Sequence, residues 1–190
     1  MPTVTALRPE RRDRVCVELD GEAWRTVPAA AVVAAGLRVG SPLDRERARE
    51  LRRALRRVAA RDTAARALSR RDRSEAELAA HLARRGVDET RQADAVDAMR
   101  SLGYVDDARF ALARACGMAG RGYGDAAIRW DLEGRGVGAD HVEAALAGIE
   151  PESERAEAVA ARLGAGPKAA RALGAKGFSP ESIEAAVRVE

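Results

Sequence analysis

Cysteine is scarce and scattered. Cys16 and Cys116 lie far apart and neither belongs to a CxxC pair. That argues against a disulfide scaffold and against a cysteine-built zinc site. Histidine is equally sparse, with only His81 and His141, and the HExxH and GxxxxGK[ST] patterns are absent. Aromatic residues make up 3% of the chain, so the core must be built from Ala, Leu and Val. This favours closely packed helices over a large aromatic-rich sheet. No apolar run reaches membrane-spanning length, and the opening MPTVTALRPERRD has no signal-peptide core. The expectation is a soluble, cytoplasmic chain with no metal, no cofactor, no membrane association and no catalytic residues.

Lysine is nearly missing too. Only Lys168 and Lys176 occur, so 31 of the 33 basic residues are arginine. A genome's base composition can produce such an excess, so its placement matters more than its amount. Residues 42–85 hold 14 Arg against 7 acidic residues, whereas residues 141–190 hold 6 basic against 8 acidic. A basic front half fits a polyanionic or acidic partner. The plainer alternative is a solvated arginine-rich helix surface.

What is present begins with alternation. In Arg14-Val-Cys-Val-Glu-Leu-Asp20, Val15, Val17 and Leu19 share one face, and Asp20-Gly21 is a turn signal. This predicts a β-hairpin over residues 14–27. A short helix over residues 29–36, ended by Gly36, and a loop follow. Leu51, Leu55 and Val58 mark a basic helix that starts after Asp44. Asp62 or Thr63 is expected to cap a fresh helix running to about Arg71.

The remainder repeats. SEAELAAHLARRGV, GDAAIRWDLEGRGV and AGPKAARALGAKGF align on Leu78, Leu82 and Gly86, on Ile128, Leu132 and Gly136, and on Ala169, Leu173 and Gly177. The i, i+4 pair fills one helical face, and the glycine ends the helix in the left-handed conformation. Asp88, Gly138 and Ser179 then stand where a second helix needs its N-cap. Further helices over about 63–71, 107–119 and 152–163 complete three-helix modules, and Ser74-Glu-Ala-Glu77 predicts a capping box. The last helix is expected to run from Pro180 to Val189. The fold class is therefore mainly α. Tandem three-helix, helix-turn-helix-like repeats form an elongated array, preceded by a small N-terminal region containing a β-hairpin. The boundaries are 1–43 for that region, 44–62 for a basic linker helix, and 63–106, 107–150 and 151–190 for the modules.

One stretch, LGYVDDARFALARACGMAGRGYG (102–124), offers paired carboxylates between aromatic residues. Gly103 suits a helix C-terminus. Asp106 suits an N-cap, and Asp107 the first turn. With Val105 at N′ and Phe110 at N4, a hydrophobic staple forms, so Leu102 to Phe110 reads as scaffolding rather than as a catalytic pair. GRGYG is glycine-rich, but no strand precedes it. Gly122 and Gly124 are expected to loosen the linker, with Gly124 as the next N-cap.

Leu102-Gly103-Tyr104-Val-Asp106-Asp107-Ala-Arg-Phe110-Ala resembles the signature of the RecX family, bacterial regulators of the RecA recombinase. Ser74–Leu78 with Gly86, Arg121–Gly124 with Gly136, and Lys176–Ser179 around Gly177 resemble the family's three module patterns. The likeness covers about residues 60–190, and the hairpin region is similar to the extension of longer members. It implies a monomeric, non-enzymatic protein of DNA repair, recombination and the SOS response. Such a protein would bind RecA–DNA filaments and inhibit strand exchange, ATPase and coprotease activity. Single- or double-stranded DNA is the further partner. The alternative is a basic helical-repeat protein that binds DNA without RecA. Arg114, Arg121, Tyr123 and Arg129 surround the glycine-rich loop and are the candidate contact residues, with Tyr123 equally suited to the core. Members often carry a basic residue where this chain has Ala127.

Overall fold

The computed structural model describes residues 1–164 and 166–188; the predicted helix end at Val189 lies outside them. Three antiparallel strands, β1 (Val4–Glu10), β2 (Arg14–Leu19) and β3 (Glu22–Pro28), form a sheet in the order β1-β2-β3. The expected hairpin is β2–β3, turning at Asp20 and Gly21, both with positive φ. The strand β1 was not foreseen. Its sequence VTALRPE alternates poorly and carries Pro9, which is tolerated because β1 is an edge strand. Its pairing is itself irregular, with a register shift between Val4 and Ala6.

Ten helices follow among the described residues. They are α1 (Ala29–Ala34), α2 (Arg45–Leu68), α3 (Glu75–Arg84), α4 (Glu89–Ser101), α5 (Asp107–Ala119), α6 (Asp125–Gly134), α7 (Ala139–Ala147), α8 (Glu152–Leu163), α9 (Pro167–Ala175) and α10 (Pro180–Val187). The fresh helix expected at Asp62 or Thr63 does not exist, because α2 runs unbroken through both. The Thr63 hydroxyl donates to the Ala59 carbonyl one turn back, 2.8 Å away, and so caps nothing. The true N-cap is Asp44, whose carboxylate accepts from the Arg47 N–H at 2.8 Å.

The chain divides into two compact units, residues 1–67 with 82–99 and residues 68–81 with 100–190. In the first, Val4, Val17, Val27, Ala31, Leu37 and Leu51 form the core, with Leu55 and Val58 packed beside it. In the second, two cores stand in series. Ala111, Ala115, Ile128, Leu132 and Val142 make one, and Ala156, Ala169, Leu173, Phe178 and Ala186 make the other. The repeat predicted from glycine spacing is visible in both. Gly86, Gly136 and Gly177 have φ of 75°, 73° and 78°. Behind each, the next residue's N–H returns to the carbonyl four residues before the glycine: Val87 to Leu82, Val137 to Leu132 and Phe178 to Leu173. This is the Schellman closure, and it requires a left-handed residue at the glycine.

Candidate partner-binding face and the module joints

Part of the signature stretch shapes the start of α5. Asp106 caps α5, accepting from the Arg109 N–H at 2.9 Å, and Gly103 has φ 72°. Val105 is buried and Phe110 packs on the α5–α7 core. Leu102 and Tyr104, however, are 65% and 61% exposed, so the expectation that each residue here serves the fold fails for these two. They flank a tight turn that directs both side chains outward.

Asp107 does more than face the dipole of its own helix. Its carboxylate accepts from the Glu75 N–H, the first residue of α3, at 2.8 Å. The same device recurs one module later, where Glu152, the first residue of α8, accepts from the Asp125 N–H that opens α6, at 2.7 Å. An acid at the start of the second and of the third module thus satisfies an orphan donor of the preceding module's middle helix.

A second contact repeats as well. The Ser74 hydroxyl donates to the Arg135 carbonyl at 2.6 Å, and the Gly124 N–H donates to the Lys176 carbonyl at 2.9 Å. In both, a middle helix begins against the turn that ends the next middle helix. There is no spare room at these joints. A Cβ on Gly136 would overlap the Ala76 methyl, and one on Gly177 would lie 2.7 Å from the Ala127 nitrogen and 2.8 Å from its Cβ. Ala127 fits this seam, its backbone and methyl lying directly against Gly177.

Gly122 and Gly124 tighten the chain rather than loosen it. The Tyr123 N–H closes on the Met118 carbonyl, and a Cβ on Gly124 would run into the Gly177 backbone. The predicted capping box is half formed. The Ser74 hydroxyl accepts from the Glu77 N–H at 3.0 Å, while the Glu77 carboxylate turns outward to Arg135 at 2.6 Å and Arg71 at 2.9 Å.

That carboxylate ends a relay. Arg114 on α5 grips Asp131 on α6 through two hydrogen bonds of 2.8 Å, and Arg135 adds a third of 2.8 Å. The Arg114 hydrogen bond holds the Asp131 carboxyl far below the usual carboxylate range, with Arg135 adding to it against the cost of burial. The Asp131 hydrogen bonds likewise raise both guanidinium pKa values. At the second joint, burial alone would raise the Glu152 pKa. Donors from the Ser179 hydroxyl, the Asp125 N–H and the Ser182 hydroxyl reverse it, so its carboxyl lies below the usual range. Arg155, buried beside it, bonds Asp125 and the Tyr123 carbonyl and lies 5.9 Å from the Phe178 ring centroid.

The four candidate contact residues are placed differently. Arg114 is committed to Asp131, and Arg129 pairs with the exposed Glu143 at 2.8 Å. Tyr123 is half-buried against the α5–α7 core. Arg121 is exposed. The Lys176 ammonium joins the last two, donating to the Arg121 carbonyl at 2.9 Å and lying 5.4 Å from the Tyr123 ring centroid. Lys176 and Tyr123 therefore form one cation–aromatic corner against the Arg121 backbone. Lys176 was not anticipated, since it lies 55 residues from Arg121 in the chain. Trp130 was also missed. It is 77% exposed on the face of α6 opposite Ile128 and Leu132, a position the helical period already implied. It borders a shallow depression with Ala126, Arg129, Glu133 and Ser179. Among the described residues no group of three or more acidic, histidine or cysteine side chains could hold a metal ion, and no helix is long and apolar enough to cross a membrane.

Comparison with known proteins bears on the helical part of the chain first. Residues 60–104 match the family model for the first three-helix domain of RecX, and residues 106–146 that for the second. The regulatory protein RecX of Xanthomonas axonopodis pv. citri (strain 306) is 38% identical over 133 residues, spanning 65% of this chain and 82% of its own. That of Chromohalobacter salexigens is 38% identical over 136 residues, 67% of this chain and 90% of its own. A crystal structure of regulatory protein RecX superposes with a TM-score of 0.86 over 98% of both chains at 21% identity. RecX from Lactobacillus salivarius gives 0.62 over 70% of this chain and 95% of its own, at 20% identity. The structural likeness speaks for the fold, N-terminal sheet included. The sequence identity, carried across most of each relative, shows that this chain belongs to the RecX family of regulatory proteins.

Proposed function

We propose that this protein binds RecA–DNA filaments and restrains recombinase, ATPase and coprotease activity, as the family resemblance implies. The observation that carries the reading is the family membership of a chain whose modules are joined twice by the same contact. Modules joined in series present similar surfaces at regular intervals. Such a surface suits a polymer of identical subunits, where several modest contacts add through effective concentration. No chemistry is required of the protein itself. Asp106 and Asp107, the one carboxylate pair that suggested catalysis, cap two helices.

The contact face proposed within residues 100–188 centres on Arg121, Tyr123 and Lys176, with Trp130 as an exposed aromatic anchor of the kind that dominates protein interfaces. Arg129 can join by exchanging its exposed Glu143 partner. Arg114 holds two helices together and contributes indirectly. Adding the protein to RecA filaments on single-stranded DNA should lower their ATP hydrolysis. An unchanged rate at saturating protein would overturn the proposal. The double change Arg121→Gln with Trp130→Ala should weaken inhibition at least tenfold while leaving the circular dichroism spectrum intact.

A further inference from the structure

Between residues 68 and 188, Arg71, Arg100, Arg114, Arg129, Arg135 and Arg155 each pair with a carboxylate, while Arg121, Arg162 and Arg171 stand exposed and scattered. On α2 four exposed arginines are set in register. Among the described residues Arg45, Arg49, Arg52 and Arg56 are exposed and have no carboxylate partner. At 3.6 residues per turn these four fall within one stripe about 60° wide. The neighbouring sector mixes Arg53 and Arg57 with Glu46 and Glu50, but no acid interrupts the stripe itself. Arg52 donates once to the Ala48 carbonyl at 3.1 Å, which leaves its outer nitrogens available. Beyond Arg56 the stripe meets a depression bordered by Arg85, Thr63 and the turn that opens α4.

We propose that this stripe is a binding track for the phosphate backbone of duplex DNA, separate from any filament contact. Three observations select that partner. First, unpaired arginines in a row are what phosphate recognition needs, and a protein interface would need an apolar anchor as well. Among the described residues no large apolar side chain is exposed between Val39 and Leu102. Second, α2 has no aromatic residue on which an unpaired base could stack, which favours duplex over single strand. Third, the dimensions suit. Arg45 to Arg56 spans about 16 Å of helix, a length over which duplex DNA carries about ten phosphates. One face can meet four of them. Contacts of this kind would be independent of base sequence.

The test uses the full-length protein and a fluorescent random-sequence duplex of about 30 base pairs, followed by anisotropy from 50 to 200 mM salt. The change of all four arginines to Gln (R45Q, R49Q, R52Q, R56Q) should weaken binding at least tenfold. It should also flatten the slope of log affinity against log salt by about 3 to 4. A charge-matched control, R162Q, K168Q, R171Q and R188Q, should change neither by more than a small fraction of that. Equal losses in the two variants, absent duplex binding at 50 mM salt, or preference for poly-glutamate or for single-stranded DNA would each overturn the proposal. Filament ATPase inhibition, measured in parallel, distinguishes its failure from failure of the filament reading.

Discussion

Gly86, Gly136 and Gly177 share one backbone conformation but not one environment. All three have φ near 75°, where an L side chain costs about 1 kcal/mol or more. A Cβ on Gly86 meets nothing within 4 Å, whereas one on Gly136 overlaps the Ala76 methyl. Gly86→Ala should therefore lose only the conformational cost, about 1 kcal/mol. Gly136→Ala should lose that and a further overpacking cost of about 1–3 kcal/mol. For a chain of this length each kcal/mol lowers the melting temperature by about 2–4 °C, so thermal unfolding separates the two variants. Equal losses would show that the joint yields freely. Trp130 is the contrasting case at this scale. Its indole is mostly in water, so Trp130→Ala should move stability by no more than about 0.5 kcal/mol, and a larger loss in urea unfolding would mean that it serves the fold.

At the scale of elements, helix ends and ion pairs decide how modules hold together. Asp131 joins α5 to α6 through Arg114 and Arg135. Its folded pKa is depressed, so its stabilisation is complete above the unfolded value near 4 and is lost as pH falls through the folded one. Asp131→Asn should cost about 2 kcal/mol at pH 7. The gap to the parent protein should stay constant down to about pH 5 and narrow below pH 4. Urea unfolding at pH 7, 5 and 2.5 checks this, and a gap that widened in acid would refute the assignment. Local signals of this kind were well written in the sequence. The helices 107–119 and 152–163, the left-handed glycines and the Asp106 cap follow from spacing, because each depends on residues within one turn. Partners that lie far apart in the chain were not legible. The Asp107 carboxylate serves Glu75, and Lys176 covers Tyr123, through contacts that only the packed modules create. Thr63 misled for the opposite reason. Its cap chemistry was overridden by the continuous apolar face of α2, which carries Ala60, Ala64 and Ala67 into the core.

For the whole molecule, the proposed serial binding to a filament would depend on the joints more than on any one contact. If two modules engage neighbouring subunits of a filament together, the second contact forms at high effective concentration only while the joint fixes the spacing. Gly177 is the point at which to break that link, since a Cβ there presses on the Ala127 backbone at the seam between α6 and α9. Gly86 supplies the control, with the same backbone conformation and open space around it. Both Gly→Ala variants should remain folded well below their melting temperatures, as circular dichroism would verify. Filament ATPase inhibition should then distinguish them, with potency falling at least tenfold for Gly177→Ala and less than threefold for Gly86→Ala. Equal potency in the two folded variants would mean that each module acts alone and that the repeated joint serves stability only.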